Sequence, residues 1–93
     1  MTDQTAIAAT ITGRVQGVGY RYSVMGMAGR LGLTGWVRNA PDGSVETRAQ
    51  GRGSMLDEFV VFLNQGPRSA RVDSVSVRSV TPDESLTSFT VRS

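Results

Sequence analysis

Between residues 16 and 21 the chain reads Gln16-Gly17-Val18-Gly19-Tyr20-Arg21. Two glycines and an arginine thus lie between a segment patterned as a strand and one patterned as a helix. Glycines let the backbone curl without Cβ clashes. Backbone N–H groups in such a bend converge on an anion, and the dipole of the following helix favours negative charge at its start. Arg21 adds a permanent cation with a two-pronged fork at the same place. Together these groups make a cradle sized for one phosphate. The spacing alone fits a tight turn beside a solvated arginine better, because a lone glycine loop is a weak motif. The loop lacks the Lys-Ser/Thr ending of a P-loop. Gly13, Gly17 and Gly19 also have the wrong spacing for a dinucleotide fingerprint.

Composition narrows the chemistry by exclusion. All ten basic residues are arginines, and Lys, His and Cys are absent. No ordinary side chain therefore titrates near neutral pH. A Ser-His-Asp triad, a Schiff-base lysine, a His or Cys metal cluster and a disulfide are all unavailable. An enzyme built from these residues works by positioning and fixed charge. The net charge is only +2, although the sequence pI is about 9.9. The gap arises because little ionises between the carboxylates and the tyrosines, so the pI is weak ground for a nucleic-acid partner. An RNA-reading sheet also needs exposed aromatics on its central strands. Neither the first strand nor Val45–Gln50 carries one.

The elements that must position the loop follow from periodicity. Residues 6–15 read as a strand, with Ile7, Ala9, Ile11 and Val15 on one face. Gly13 marks a bulge or a close backbone approach. A helix is expected from Tyr22 to Leu33, with Val24, Met27, Ala28 and Leu31 as its apolar stripe. Gly26 and Gly29 weaken it, and Gly32 or Gly35 is positioned to end it. Trp36–Asn39 starts a second strand. The turn Ala40-Pro41-Asp42-Gly43 then leads to Val45, Thr47 and Ala49, alternating with Glu46, Arg48 and Gln50. Ser54 is the expected N-cap of a second helix, with Asp57 and Glu58 in its first turn. Leu56, Phe59, Val60 and Leu63 face inward, and Gly66-Pro67 stops the helix. Residues 71–80 form another strand, Thr81–Ser88 a polar loop, and Phe89 and Val91 a short last strand. The order β-α-β-β-α-β is that of a ferredoxin-like split-βαβ sandwich, an α+β fold. The expected sheet is antiparallel, of four to five strands, with both helices on one face.

At this point the residues resemble a known family. Gly13-Arg14-Val15-Gln16-Gly17-Val18-Gly19-Tyr20-Arg21 is similar to the signature of the acylphosphatases. So are Gly35-Trp36-Val37-Arg38-Asn39 and Asp42-Gly43-Ser44-Val45-Glu46. Leu31-Gly32-Leu33 and Gly66-Pro67 fit the same pattern, in the same order along nearly the whole chain. The resemblance implies that Arg21 binds phosphate, that the Gln16–Tyr20 backbone forms the phosphate-binding loop, and that Asn39 orients the attacking water. Alone, Asn39 beside a Pro-Asp-Gly turn reads as a strand-end asparagine. Tyr20 stands where many members carry Phe, so the packing is expected to survive, with the hydroxyl directed to the site or to solvent. The Ala40-Pro41 turn and the glycines at 26 and 29 also depart from the usual pattern.

The implied reaction suits these residues. The leaving carboxylate has a conjugate acid of pKa near ~4 and departs without a general acid. The attacking water can pass its proton to a phosphate oxygen, which removes the need for a general base. What remains is alignment and charge stabilisation. No metal and no cofactor is expected. The partners expected are a small-molecule acyl phosphate and inorganic phosphate as product, with no nucleic acid and no membrane.

Length and patterning complete the expectations. The 93 residues suit one domain spanning 1–93. No apolar run approaches the ~18 residues of a membrane span. Met1-Thr2-Asp3-Gln4-Thr5 lacks the pattern of a signal peptide, so the cytoplasm is the expected compartment. The chain ends soon after the last strand, which favours a free-standing enzyme, and a monomer is the default expectation.

Overall fold

The computed structural model describes residues 4–93. The expected sequence of elements is present: β1 Gln4–Arg14, α1 Tyr20–Arg30, β2 Thr34–Asn39, β3 Val45–Arg52, α2 Gly53–Gln65, β4 Arg71–Val80 and β5 Phe89–Arg92. The reading that residues 1–5 lack a signal-peptide pattern falls mostly outside the described residues.

The strands form one sheet in the order β4-β1-β3-β2-β5. β1 pairs antiparallel with both β3 and β4, and β2 with β3. The fifth strand corrects the expectation of a wholly antiparallel sheet, because β5 runs parallel to β2, with Val37 opposite Val91. The long connection after β4 crosses the sheet, so the chain enters the far edge in the same direction as β2.

Alternation decides which face is buried. Ala9, Ile11, Val37, Val45, Thr47 and Ala49 point to one side, where Val24 and Ala28 of α1 and Leu56, Phe59 and Leu63 of α2 close the core. Phe59 meets Phe89 edge-on, with ring centroids 6.0 Å apart, which ties α2 to the edge strand. The opposite face carries Trp36, whose ring lies under the guanidinium groups of Arg38 and Arg92. Part of that face is covered by the 81–88 segment. Gln50 is buried there, donating from Nε2 to the Asp83 carbonyl and accepting the Asp83 N–H, each at 2.8 Å.

Gly13 lies at a register shift between β1 and β4. A Cβ there would collide with the main-chain carbonyl of Arg71, so both expectations for this glycine, bulge and close approach, hold. Two helix boundaries differ from expectation. α1 begins two residues before Tyr22 and ends at Arg30, and the chain then reverses through Gly32 at φ 69°. α2 begins at Gly53, so its N-cap is Arg52 rather than Ser54, with no side-chain cap. Asp57 and Glu58 consequently lie in its second turn, where the dipole acts more weakly.

Candidate active site

The bend between β1 and α1 is built as a cradle. Gly17 and Gly19 have φ of 73° and 80°, a left-handed conformation that a β-carbon disfavours. A β-carbon on either would meet nothing within 4 Å, so the outer side of the bend is open. Gly19 is the N-cap residue of α1; it has no side-chain cap, and no acidic residue lies in the first turn. The first N–H groups of an α-helix have no intrahelical partner. Here no carboxylate of that turn offsets the positive end of the dipole.

Val15, Gly17, Gly19, Tyr20, Arg21 and Tyr22 line a depression of about 140 Å³ at this bend. The structure thus brings together four of the expected site residues, Gly17, Gly19, Tyr20 and Arg21. Nη1 of Arg21 donates 3.1 Å to the carbonyl of Arg92 in β5. That contact holds the guanidinium from the sheet edge. Among the described residues no carboxylate pairs with Arg21.

Gln16, Val18 and Asn39 do not line the depression. Gln16 and Val18 brace it. The Gln16 side-chain amide donates 2.8 Å to the Ala40 carbonyl and 2.8 Å to the Ser44 carbonyl. The Val18 carbonyl accepts a 2.6 Å hydrogen bond from Ser69 Oγ, in the connection between α2 and β4. The loop is therefore tied to the β2–β3 hairpin on one side and to the α2–β4 connection on the other.

Asn39 ends β2, two residues after the buried Val37, and strand alternation sets it on the helix-bearing face. Its Oδ1 is buried and finds no hydrogen-bond partner among the described residues. Buried acceptors are nearly always paired, so an amide oxygen left without a partner at a strand end stands out. The turn behind it is firm. Ala40 N–H donates 2.8 Å to the Ser44 carbonyl, and the Asp42 carboxylate accepts from both Ser44 N–H (2.9 Å) and Ser44 Oγ (2.6 Å). Those bonds, the hydroxyl's first, hold the Asp42 carboxyl below its ordinary range.

Tyr20 corrects an expectation. Its hydroxyl reaches neither the site nor solvent. It donates 2.8 Å to the Leu63 carbonyl, and the residue is buried. Burial pushes its phenol well above the ordinary value. Tyr20 serves the cradle through its backbone and the fold through its side chain. The roles of Ser69, Ser44 and the Gln16 amide lay outside the sequence reading, since residues 24 to 51 positions apart leave no local pattern.

Among the described residues no group of three or more Asp or Glu side chains could hold a metal, and no helix is long and apolar enough to cross a membrane.

Sandwich, strand order and loop define a small ferredoxin-like α+β protein. The acylphosphatase family profile matches residues 7–91. An acylphosphatase of Koribacter versatilis (strain Ellin345) is 49% identical over 81 residues, 87% of this chain and 74% of that protein. The solved acylphosphatase from Coxiella burnetii superposes with a TM-score of 0.90 at 38% identity, over 97% of this chain and 94% of that one. The acylphosphatase from Bacillus subtilis does so with a TM-score of 0.91 at 35% identity, over 96% and 99%. The chain belongs to the acylphosphatase family and is an enzyme of that class. Acyl phosphates are the substrates of such enzymes and phosphate their product.

Proposed function

We propose that the chain hydrolyses acyl phosphates by direct in-line attack of water on phosphorus. Arg21 and the N–H groups of the Gln16–Tyr20 loop hold the phosphate, and Asn39 holds the water. The observation that carries this reading is the unpartnered Asn39 Oδ1 at the end of β2, next to a turn bonded directly to the loop before Arg21.

The phosphate's non-bridging oxygens take the loop amides and the guanidinium, whose charge is permanent. Asn39 accepts one water hydrogen and leaves the oxygen lone pair facing phosphorus. The new P–O bond forms as the bond to the acyl oxygen breaks. The electron pair leaves with the carboxylate, and the water's proton passes to a phosphate oxygen. Because the leaving group is a stabilised anion, no side chain has to protonate it, which agrees with a chain lacking His, Lys and Cys. Aligned electrostatic donors of this kind contribute roughly 3–4 kcal/mol each to lowering a barrier. The scheme uses one copy of the chain and no cofactor, as a monomer in the cytoplasm.

The test is hydrolysis of benzoyl phosphate with EDTA present and p-nitrophenyl phosphate as control. We expect rapid, chelator-insensitive turnover of the first and almost none of the second, whose leaving group is poorer. Arg21→Ala should abolish phosphate inhibition, whereas Asn39→Ala should keep it and lose turnover. Wild-type turnover in Asn39→Ala would overturn the assigned role.

A further inference from the structure

We infer that Gln16 is a positioning residue for this reaction: its side-chain amide fixes the phosphate loop relative to the amide of Asn39. The inference rests on the reading of Asn39 given above and adds the part that sets its distance from the phosphate.

One nitrogen makes the link. Gln16 Nε2 has two hydrogens, and both are used, on the Ala40 carbonyl at 2.8 Å and the Ser44 carbonyl at 2.8 Å. These carbonyls stand at the two ends of the turn that closes the β2–β3 hairpin. They are already bonded within the turn, Ala40 N–H to the Ser44 carbonyl at 2.8 Å and Gly43 N–H to the Ala40 carbonyl at 3.2 Å. Gln16 thus grips a formed turn rather than organising a loose one. Ala40 is the covalent neighbour of Asn39 and its own N–H is bonded to the Ser44 carbonyl, so a shift of the gripped turn is passed to the Asn39 backbone. Gln16 itself begins the loop that runs to Arg21. No other side chain among the described hydrogen bonds joins the 16–19 bend to the 40–44 turn.

The residue type is demanding. Two acceptors face one nitrogen, so a neutral primary amide fits, whereas a carboxylate would set negative charge against two carbonyl oxygens. The turn's own carboxylate, Asp42, is engaged by Ser44. With both N–H bonds on the turn, Nε2 has no hydrogen left for a substrate, which separates Gln16 from the groups that touch phosphate. Its effect is geometric. A displacement of order 1 Å at a reacting centre can lower a rate by roughly 100-fold, while phosphate binding, which depends on Arg21 and the loop N–H groups, is left largely alone.

The experiment compares Gln16→Met and Gln16→Glu with the wild-type chain on benzoyl phosphate, with inorganic phosphate as competitive inhibitor. Met keeps the length and removes the donors. We expect kcat to fall roughly 10- to 100-fold, with KM and the phosphate inhibition constant within about threefold of wild type. In Gln16→Glu turnover should rise as pH falls through the carboxyl's pKa, because the protonated acid donates to the turn again. A lowered Tm with unchanged kcat in folded Gln16→Met would overturn the inference. So would a Gln16→Glu profile parallel to wild type, and this second variant decides the matter if Gln16→Met does not fold. Combining Gln16→Met with Asn39→Ala should add little to the loss from Asn39→Ala, since both act through one water; losses that multiply would refute the coupling. Normal turnover in Asn39→Ala alone would instead strike at the reading of Asn39.

Discussion

The hydroxyl of Tyr20, the first residue of α1, donates a 2.8 Å hydrogen bond to the main-chain carbonyl of Leu63 in the last turn of α2. The last four carbonyls of a helix have no intrahelical partner. Tyr20 supplies one from inside the core and thereby pins the end of one helix to the start of the other, immediately behind the Gln16–Tyr20 loop. Tyr20→Phe keeps the ring and removes the donor, which leaves a buried carbonyl unpaired. The expected cost is about 1–3 kcal/mol, read as a fall in urea midpoint or a Tm lower by roughly 4–8 °C per kcal/mol. Turnover per folded molecule should stay at the wild-type value, because the hydroxyl faces away from the depression.

The same phenol predicts an alkaline weakness. Tyr20 must stay protonated to donate, and burial raises its pKa in the folded state. A group whose folded pKa is raised gives stability that is complete below its unfolded pKa, near ~10 for tyrosine, and is lost as pH climbs through the folded value. In that window the unfolded chain has released a proton that the folded chain keeps. Stability should therefore fall by up to about 1.4 kcal/mol per pH unit above pH ~10. The chain has no Lys and no Cys, so few other side chains of its composition titrate there. Urea unfolding at pH 9 and pH 11 should show the decline in wild type and a clearly smaller one in Tyr20→Phe. An equal decline in both would remove Tyr20 as its cause.

Gly26 and Gly29 give a prediction of the opposite sign. Both lie on the exposed side of α1, and a β-carbon at either would meet nothing within 4 Å. Glycine inside a helix costs roughly 0.5–1 kcal/mol relative to alanine, mostly through chain entropy. Gly26→Ala and Gly29→Ala should each raise stability by about that amount, and together by close to the sum. Activity should be unchanged, since neither residue lines the depression. Gly13→Ala is the control. Its β-carbon would run into the Arg71 carbonyl, and the chain should lose stability well beyond 1 kcal/mol.

Much of the fold was legible because its signals are local. Alternation located Ala9, Ile11, Val45 and Ala49 on the core face, and the Gly66-Pro67 stop ended α2 correctly. Helix starts were less legible. Ser54 carries the right side chain for a cap, yet strand β3 runs on to Arg52 and delivers the chain directly into α2. Tertiary pairing with β1, where Gln4 faces Arg52, decided that boundary over cap propensity. The parallel pairing of β5 was hidden for a related reason: four residues of alternating pattern do not state their direction. At the candidate site, type and spacing drew notice to Arg21 and the glycines only as a weak motif, and the family resemblance gave them their expected roles. The Gln16 amide and Ser69 hydroxyl did not, because each acts on a backbone carbonyl, which carries no sequence signature.

Titration near the site is sparse, and this fixes the expected pH dependence of catalysis. The ionisable side chain of the turn behind Asn39 is Asp42, held ionised first by the Ser44 hydroxyl and then by the Ser44 N–H. Asp83, on the far face, is likewise lowered, by the Ser85 hydroxyl first. The sign follows from linkage. A carboxylate with a depressed folded pKa contributes stability that is present above its unfolded value, near ~4, and is lost as pH falls through the folded one. From pH 5 to 8 Asp42 therefore stays charged, the turn keeps both Ser44 bonds, and Asn39 keeps its place. With no His, Lys or Cys in the chain, kcat should be flat from about pH 5 to 8 once the substrate's own ionisation is removed. Turnover should drop only below about pH 4, as Asp42 protonates and the turn loosens. Asp42→Ala should show that loosening already at pH 7, as a lower kcat with phosphate inhibition retained. An enzyme-derived limb of unit slope between pH 5 and 8 would mean that a group outside this scheme transfers a proton in the rate-limiting step.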